Sequence, residues 1–359
     1  MSKFLQIFVN TSKNKEGLLN RFGNPVGGTE KVTMECHERL LENGHDSYIV
    51  DSHESPYEGE GVIKFYSAEE KTARINQRLV DLCADFDYIV LHSNYTLPKY
   101  LNRAGIVYTH VDHMMLTPVN KLYYGSFFAE TWVHAKKLGS RFITVSEYAR
   151  DWKETQYRKF NPEFKFDEYF KFQFVTEELS KVDVKASEGY GIQIARPTKE
   201  KALNRFAKVG GDYKIISIGD PKEAESCDRV ADHILWNVPR ENTMDLLSRA
   251  SFLFATSAVE SAGIAPLEAL CAGVPVVVYD TGKGHASYMM APEGAEYICS
   301  HEDKDRIESF RTLTVHQRRA ISREVREYNS SEVQFRELLK MIKSVKNEPF
   351  SNLLEFMQS

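Results

Sequence analysis

The sequence predicts an α/β protein of two domains, each built on a doubly wound parallel sheet. Three observations predict it. The 359 residues suit two domains of roughly 100–200 residues each. Short apolar runs alternate with stretches of helical spacing, the rhythm of β-α-β units with parallel strands. That rhythm stops in an aromatic, charged stretch (152–174) and starts again at Gly191.

The first strand is expected at Phe4–Val9. A glycine-bearing loop follows, Gly23-Asn-Pro-Val-Gly-Gly-Thr29. Glu30–Asn43 then reads as a helix, with Val32, Cys36, Leu40 and Leu41 on one side, stopped by Gly44. Further strands are expected at Asp46–Asp51, Tyr88–His92, Gly105–His110 and Phe142–Ser146. In the second half, strands are expected at Gly191–Ala195, Lys214–Ile218, Ser251–Ala255 and Val274–Tyr279, with a helix at Lys199–Val209. The architecture is therefore two Rossmann-like domains, residues 1–178 and 179–338, with a boundary near 175–189. The charged tail is helical, and residues 339–359 are expected to cross back to the first domain.

Composition excludes several classes. The chain is 42% hydrophobic and 27% charged, so it is neither disordered nor fibrous. No uncharged apolar run reaches the ~20 residues of a membrane span. With 46 Lys and Arg against 51 Asp and Glu, the net charge is −5, unlike a strongly basic nucleic-acid binder. Five scattered cysteines without a Cys-x-x-Cys pair read as small apolar residues in a reducing compartment. The N-terminal apolar stretch is too short for a signal peptide, and a cytoplasmic protein is expected.

The most informative segment is Ser257–Val278, SAVESAGIAPLEALCAGVPVVV. Glu260 and Glu268 flank a turn of small residues, with Gly263 and Ile264 between them. A short helix, stopped by Gly273, and a buried strand follow. This sets a helix N-terminus at the sheet's carboxyl edge, where α/β folds bind ligands. Free N–H groups there suit a phosphate, and a nearby carboxylate suits sugar or ribose hydroxyls. Glu260-x7-Glu268, with its glycines, proline and strand, resembles the signature of GT-B glycosyltransferases in the retaining group of sucrose and mannosyl transferases.

Three other segments agree with that resemblance. Gly27-Gly28-Thr29 before the first helix is similar to the family's loop at the donor phosphates and reaction centre; taken alone, it is only a turn. Arg196 and Lys201, five apart after the strand ending at Ala195, match the family's cations on the donor diphosphate, although Ala195 and Ala202 stand where glycines are usual and Lys199 competes for the lysine role. His110 matches the family's histidine at a strand end near the donor sugar. Asp112 and His113 are further candidates, and a buried structural histidine is the competing reading of His110. The pair His110-x-x-His113 lacks a third metal ligand by spacing. Asp85-Phe-Asp87 precedes a strand and reads as turn chemistry.

The resemblance implies two domains facing a cleft and a retaining transfer from a nucleoside-diphosphate sugar, expected to be a UDP-sugar. It implies catalytic roles for His110, Arg196, Lys201 and Glu260. Donor contacts are implied from Gly27, Gly28, Thr29, Gly263, Ile264 and Glu268, and no metal is implied for the chemistry. A nucleotide-sugar epimerase of the same fold and a silent binding protein are the competing classes.

The acceptor is less legible. The segment Val107-Tyr-Thr-His110 and the Gly-Gly-Thr loop before a helix ending in Asn43-Gly44-His45-Asp46 resemble the T-even phage DNA α-glucosyltransferases. That implies 5-hydroxymethylcytosine in double-stranded DNA as acceptor and, for a phage-encoded chain, the host cytoplasm. Tyr157–Phe174 carries eight aromatics and four Lys or Arg. Tyr157 and Lys159 there are candidates for holding a flipped base and a phosphate. The competing readings are an insertion packed on the first domain and a membrane-surface element serving a lipid or polysaccharide acceptor.

Overall fold

The computed structural model describes residues 2–8, 18, 28–67, 69–113, 118–170, 175–195, 203, 205, 211–217, 233–257, 263–279, 291, 292 and 294–346. The chain divides into two compact units, Met1–Phe172 with Phe335–Ser359, and Gln173–Gln334.

The first unit alternates strands and helices: β1 (Lys3–Ile7), α1 (Gly28–Glu42), β2 (Asp46–Ser52), β3 (Val62–Tyr66), α2 (Thr72–Cys83), β4 (Tyr88–His92), α3 (Pro98–Arg103), β5 (Thr109–Asp112), α4 (Pro118–Leu138), β6 (Arg141–Thr144), α5 (Glu147–Tyr157) and β7 (Glu168–Tyr169). The strands form one sheet in the order β3-β2-β1-β4-β5-β6-β7, with every neighbouring pair parallel. Strands such as β1 and β4 are buried almost end to end, as expected of parallel strands covered on both faces. Gly44 ends α1 at φ +74°, a conformation that glycine adopts without a Cβ penalty.

The aromatic stretch resolves into the end of α5, a turn and β7. Tyr157, Phe164 and Phe166 join the core with Phe128, Trp132 and Phe142. The Tyr157 and Phe164 rings lie 4.6 Å apart. These rings are packing material, whereas Phe160 and Tyr169 of the same stretch are exposed.

The second unit holds α6 (Glu177–Ser180), β8 (Gly191–Ile194), β9 (Tyr213–Ser217), β10 (Ile234–Trp236), α7 (Arg240–Arg249), β11 (Phe252–Ala255), α8 (Ile264–Cys271), β12 (Val276–Val278), β13 (Ile298–Ser300), α9 (Lys304–Arg311) and α10 (Val315–Tyr328). Its sheet runs β10-β9-β8-β11-β12-β13, again parallel throughout.

The last helix, α11 (Ser331–Lys343), buries Phe335, Leu338 and Ile342. Just beyond it, Val345 packs with Val107 and Leu138, and Arg141 donates to Ser344 Oγ at 2.6 Å.

Helix α8 is fixed at its C-terminal end. Gly273 follows it at φ +71°, and a Cβ there would meet the Arg318 carbonyl oxygen at 2.3 Å. Buried Arg318 donates to the Gly273 and Ser248 carbonyls. Arg326 and Ser322 both donate to the Cys271 carbonyl. Cations thus meet the unpaired carbonyls and the negative end of the helix dipole.

Candidate functional site

In the second unit, the small-residue turn ends at Gly263, the N-cap of α8, with no side chain capping the helix. Glycine is required there by close approach: a Cβ would lie 2.9 Å from Pro266 Cγ. The helix starts at Ile264, two residues before Pro266, and carries Glu268 at its fifth position. Glu268 is 4% exposed. Its Oε1 lies 2.8 Å from an Arg240 amine, and Arg240 also donates to both carboxylate oxygens of Glu178, at 3.0 and 3.3 Å. Burial works against the charge on Arg240. The Glu268 and Glu178 carboxylates more than offset it and hold the guanidinium protonated.

Other polar groups collect at the same sheet edge. Gln193, near the end of β8, donates to Thr256, just past β11. Arg205 donates to the Thr256 carbonyl at 3.0 Å and lies over the Tyr279 ring at 4.1 Å. The backbone at the end of β8 is pinned, with Ala195 N donating to the Ile216 carbonyl and its carbonyl accepting from Ser217.

In the first unit, the carboxyl edge carries buried imidazoles. His92, the last residue of β4, lies 2.7 Å through Nε2 from Gln6 Oε1 and 3.0 Å through Nδ1 from His113 Nε2. The amide oxygen accepts only, so His92 carries its proton on Nε2 and His113 donates to Nδ1. Burial, aided by the neighbouring His110, pushes the His92 pKa down to about 3. Burial, with His92 next in weight, holds His113 well below the usual range. Both rings are neutral at physiological pH. Ser93, at φ +50°, accepts from His113 N at 2.9 Å.

Asp112, the last residue of β5, is fully buried. It accepts from the hydroxyls of Tyr95 and Tyr157 and pairs with Lys153 Nζ at 3.0 Å. Burial lowers the Lys153 pKa and the Asp112 charge acts against that shift. Such a pair requires close geometry, because removing two charges from water costs several kcal/mol each.

The structure corrects four expectations. His110 is not at a strand end: β5 runs two residues past it. Its ring is fully buried against Phe128 and Phe142, and Nε2 faces the Asn94 carbonyl. Its Nδ1 has no hydrogen-bond partner among the described residues, and His113 is the histidine that follows the strand. Tyr157 is fully buried and committed to Asp112, so it cannot stack on a base. Asp112 is enclosed by Tyr95, Tyr157 and Lys153 and cannot meet an acceptor directly. Lys159 is exposed and meets Gln156 at 3.1 Å. Asp87 ties the start of β4 to β1, where its carboxylate accepts from Lys3 N at 2.9 Å, a contact across the sheet and not within a turn. Gly28 and Thr29 form the N-terminus of α1. Gly27, Arg196, Lys201 and Glu260 lie outside the described residues.

Sequence reasoning missed Gln6, His92, Lys153, Arg205 and Arg240. A polar residue closing an apolar run was the available signal for His92. For the others, the partner lies far along the chain.

Residues 210–311 match the family model of glycosyl transferases group 1. No curated protein matches the sequence. Solved structures share the fold at low identity. Sucrose-phosphate synthase from Thermosynechococcus elongatus aligns with TM-score 0.68 and 12% identity, over 96% of this chain and 99% of that one. HepE of Anabaena, solved in complex with UDP and glucose, aligns with TM-score 0.65 and 12% identity, over 96% and 100%. WaaG, described as a glycosyltransferase involved in lipopolysaccharide biosynthesis, aligns with TM-score 0.58 and 13% identity, over 95% and 99%.

Proposed function

We propose that this chain, a glycosyltransferase by its group 1 domain and GT-B fold, moves a sugar from a UDP-sugar to an acceptor hydroxyl with retention at the anomeric carbon. One observation carries the reading: Glu268 is a buried carboxylate on a helix at the carboxyl edge of the second sheet. Burying a carboxylate is costly unless it is paired, and that edge is where parallel α/β sheets take ligands. HepE, of the same fold, is described with UDP and glucose bound, which supports the choice of donor.

In this reading Glu268 accepts from the ribose hydroxyls and Glu260 from the sugar hydroxyls. Gly263 and Ile264 bring the N-terminus of α8 to the diphosphate, and Gly27, Gly28 and Thr29 bring that of α1 near the reacting carbon. His110 is the histidine assigned to the sugar, with His113 as the further candidate. The bond from the anomeric carbon to the diphosphate oxygen breaks, and its electron pair leaves with the diphosphate. The acceptor oxygen bonds to the same face, and its proton passes to the leaving phosphate. Arg196 and Lys201 neutralise the charge that develops. No resident metal is required in this scheme.

The acceptor we propose is the hydroxymethyl group of 5-hydroxymethylcytosine in duplex DNA, on the resemblance to the phage enzymes. The burial of Tyr157 takes that ring out of base stacking and leaves Phe160 and Tyr169 as the exposed rings of the stretch among the described residues. The second reading is a saccharide acceptor of the lipopolysaccharide kind, favoured by the fold shared with WaaG. The test is nucleoside diphosphate release from UDP-, GDP- and ADP-sugars, with hydroxymethylated duplex DNA, with core oligosaccharide, and with neither. UDP release that needs the DNA supports the proposal. Release only with the oligosaccharide moves the acceptor to the second reading. An epimerised sugar formed without any acceptor refutes transfer.

A further inference from the structure

Arg240 opens α7 and lies between two carboxylates on different elements. Glu178 of α6 takes the Nε and one amine of its guanidinium, and buried Glu268 of α8 lies 2.8 Å from an amine. The other cations at α8, Arg318 and Arg326 of α10, are turned onto backbone carbonyls. Glu178 is about half exposed while Glu268 is nearly enclosed. The guanidinium therefore spans from solvent to the interior, and its planar fork reaches both carboxylates at once with fixed geometry.

A surface pair of this kind contributes little. A buried carboxylate differs, because without a partner cation it takes a proton or rearranges. A protonated carboxyl gives up an acceptor that a pair of ribose hydroxyls needs.

We propose that Arg240 is a positioning residue for nucleotide binding: anchored by Glu178, its guanidinium holds the Glu268 carboxylate in one orientation for the ribose hydroxyls. The inference rests on the ribose role of Glu268 given above. Arg240 acts through Glu268, so its contribution vanishes once Glu268 is gone.

The test is a double-mutant cycle on UDP affinity, measured by titration calorimetry on the full chain. Glu268→Ala is expected to weaken UDP binding about tenfold or more. Arg240→Met is expected to weaken it about tenfold in the wild-type background and under about twofold in the Glu268→Ala background, since residues in one network are not additive. Arg240→Lys, which keeps the charge, should recover part of the affinity. Glu178→Gln, a change at a half-exposed side chain, should cost a few-fold with thermal unfolding unchanged, which keeps the test open if Arg240→Met does not fold.

Equal losses in both backgrounds would make Arg240 merely structural and overturn the inference. Tighter UDP binding in Arg240→Met would make Arg240 a competitor of the ribose and overturn it too. Glu268-dependent binding that ignores Arg240 removes this inference and leaves the ribose role standing. Unchanged affinity in Glu268→Ala removes the ribose role and the inference with it. A wild type that binds none of UDP, GDP and ADP sinks the donor reading as a whole.

Discussion

Lowering the pH from 7.5 to 5.0 should destabilise the first unit sharply. Burial is the main cause of the depressed pKa values of His92 and His110, about 3 and about 4 in the folded chain against an ordinary 6.5. A base whose folded pKa is depressed binds fewer protons folded than unfolded. Its stability contribution is therefore intact above pH 6.5 and falls as pH drops toward the folded value. At pH 5.0 each ring remains neutral when folded, while the unfolded ring has passed its pKa by about 1.5 units. At about 1.4 kcal/mol per unit, each histidine costs about 2 kcal/mol and the two together about 4 kcal/mol. His113 and His37, also depressed mainly by burial, act in the same direction. That loss is a large share of the 5–15 kcal/mol by which domains are typically stable. Unfolded carboxylates titrate near pH 4, so most of their effect lies below this window. The assay is urea unfolding followed by circular dichroism at both pH values, for wild type and for His92→Asn and His110→Asn. Each variant should reduce the pH-dependent loss by about 2 kcal/mol, whatever its stability at pH 7.5. A wild type that loses under about 1 kcal/mol, or variants that lose as much as wild type, would refute the neutral-imidazole account.

Arg196→Ala and Lys201→Ala should each lower turnover by about a hundredfold or more, the scale of one preorganised charge stabiliser; near-normal release of UDP by both would remove the diphosphate role. Gly273→Ala should destabilise by about 3 kcal/mol, because a Cβ at φ +71° also runs into the Arg318 carbonyl oxygen; an unfolding midpoint within error of wild type would contradict it. Lys153→Met should cost about 3–5 kcal/mol by leaving Asp112 buried without its cation, and Lys153→Met with Asp112→Asn should recover much of that loss in the same melts.

The fold was legible wherever apolar runs met helical spacing. The expectation at Tyr88–His92 coincides with β4, and β1, β2, β6, β8, β9, β11 and β12 lie within a few residues of their expected places. Strand β5 was displaced: the apolar run Ile106-Val107-Tyr108 suggested Gly105–His110, but pairing extends over Thr109–Asp112. His110 and Asp112 can occupy that strand because Asn94, Lys153, Tyr95 and Tyr157 pair with them, and those partners are distant in sequence. The edge strands β3, β7, β10 and β13 were missed because they are short or carry interspersed charge. Glu268 was legible from its surrounding pattern. Arg240 and Glu178 were not, since they meet Glu268 only through the packing of three separate helices.

The two units place their costly buried groups alike. Gln6, Asp51, His92 and Asp112 stand at or near the carboxyl ends of β1, β2, β4 and β5, while Gln193, Ser217 and Thr256 stand at those of β8, β9 and β11. At the other ends, the buried polar residues on or next to the described strands are Ser47, Thr109, Ser140 and Ser251, whose small hydroxyls are satisfied locally or cost little to enclose, while His37, Asn102 and Arg318 are buried there on the helices that pack against them. Folding alone gives no reason for imidazole, carboxylate and amide groups to prefer one end of a parallel strand. Each would be cheaper as valine, and each needs partners drawn from several elements. The asymmetry follows if the carboxyl ends do chemistry, because loops and helix N-termini converge there. A polar residue closing an otherwise apolar strand is thus a sequence-readable mark of that edge. In this chain Asp51, His92 and Asp112 carry the mark, although the partners that make their burial tolerable become visible only once the sheet is assembled.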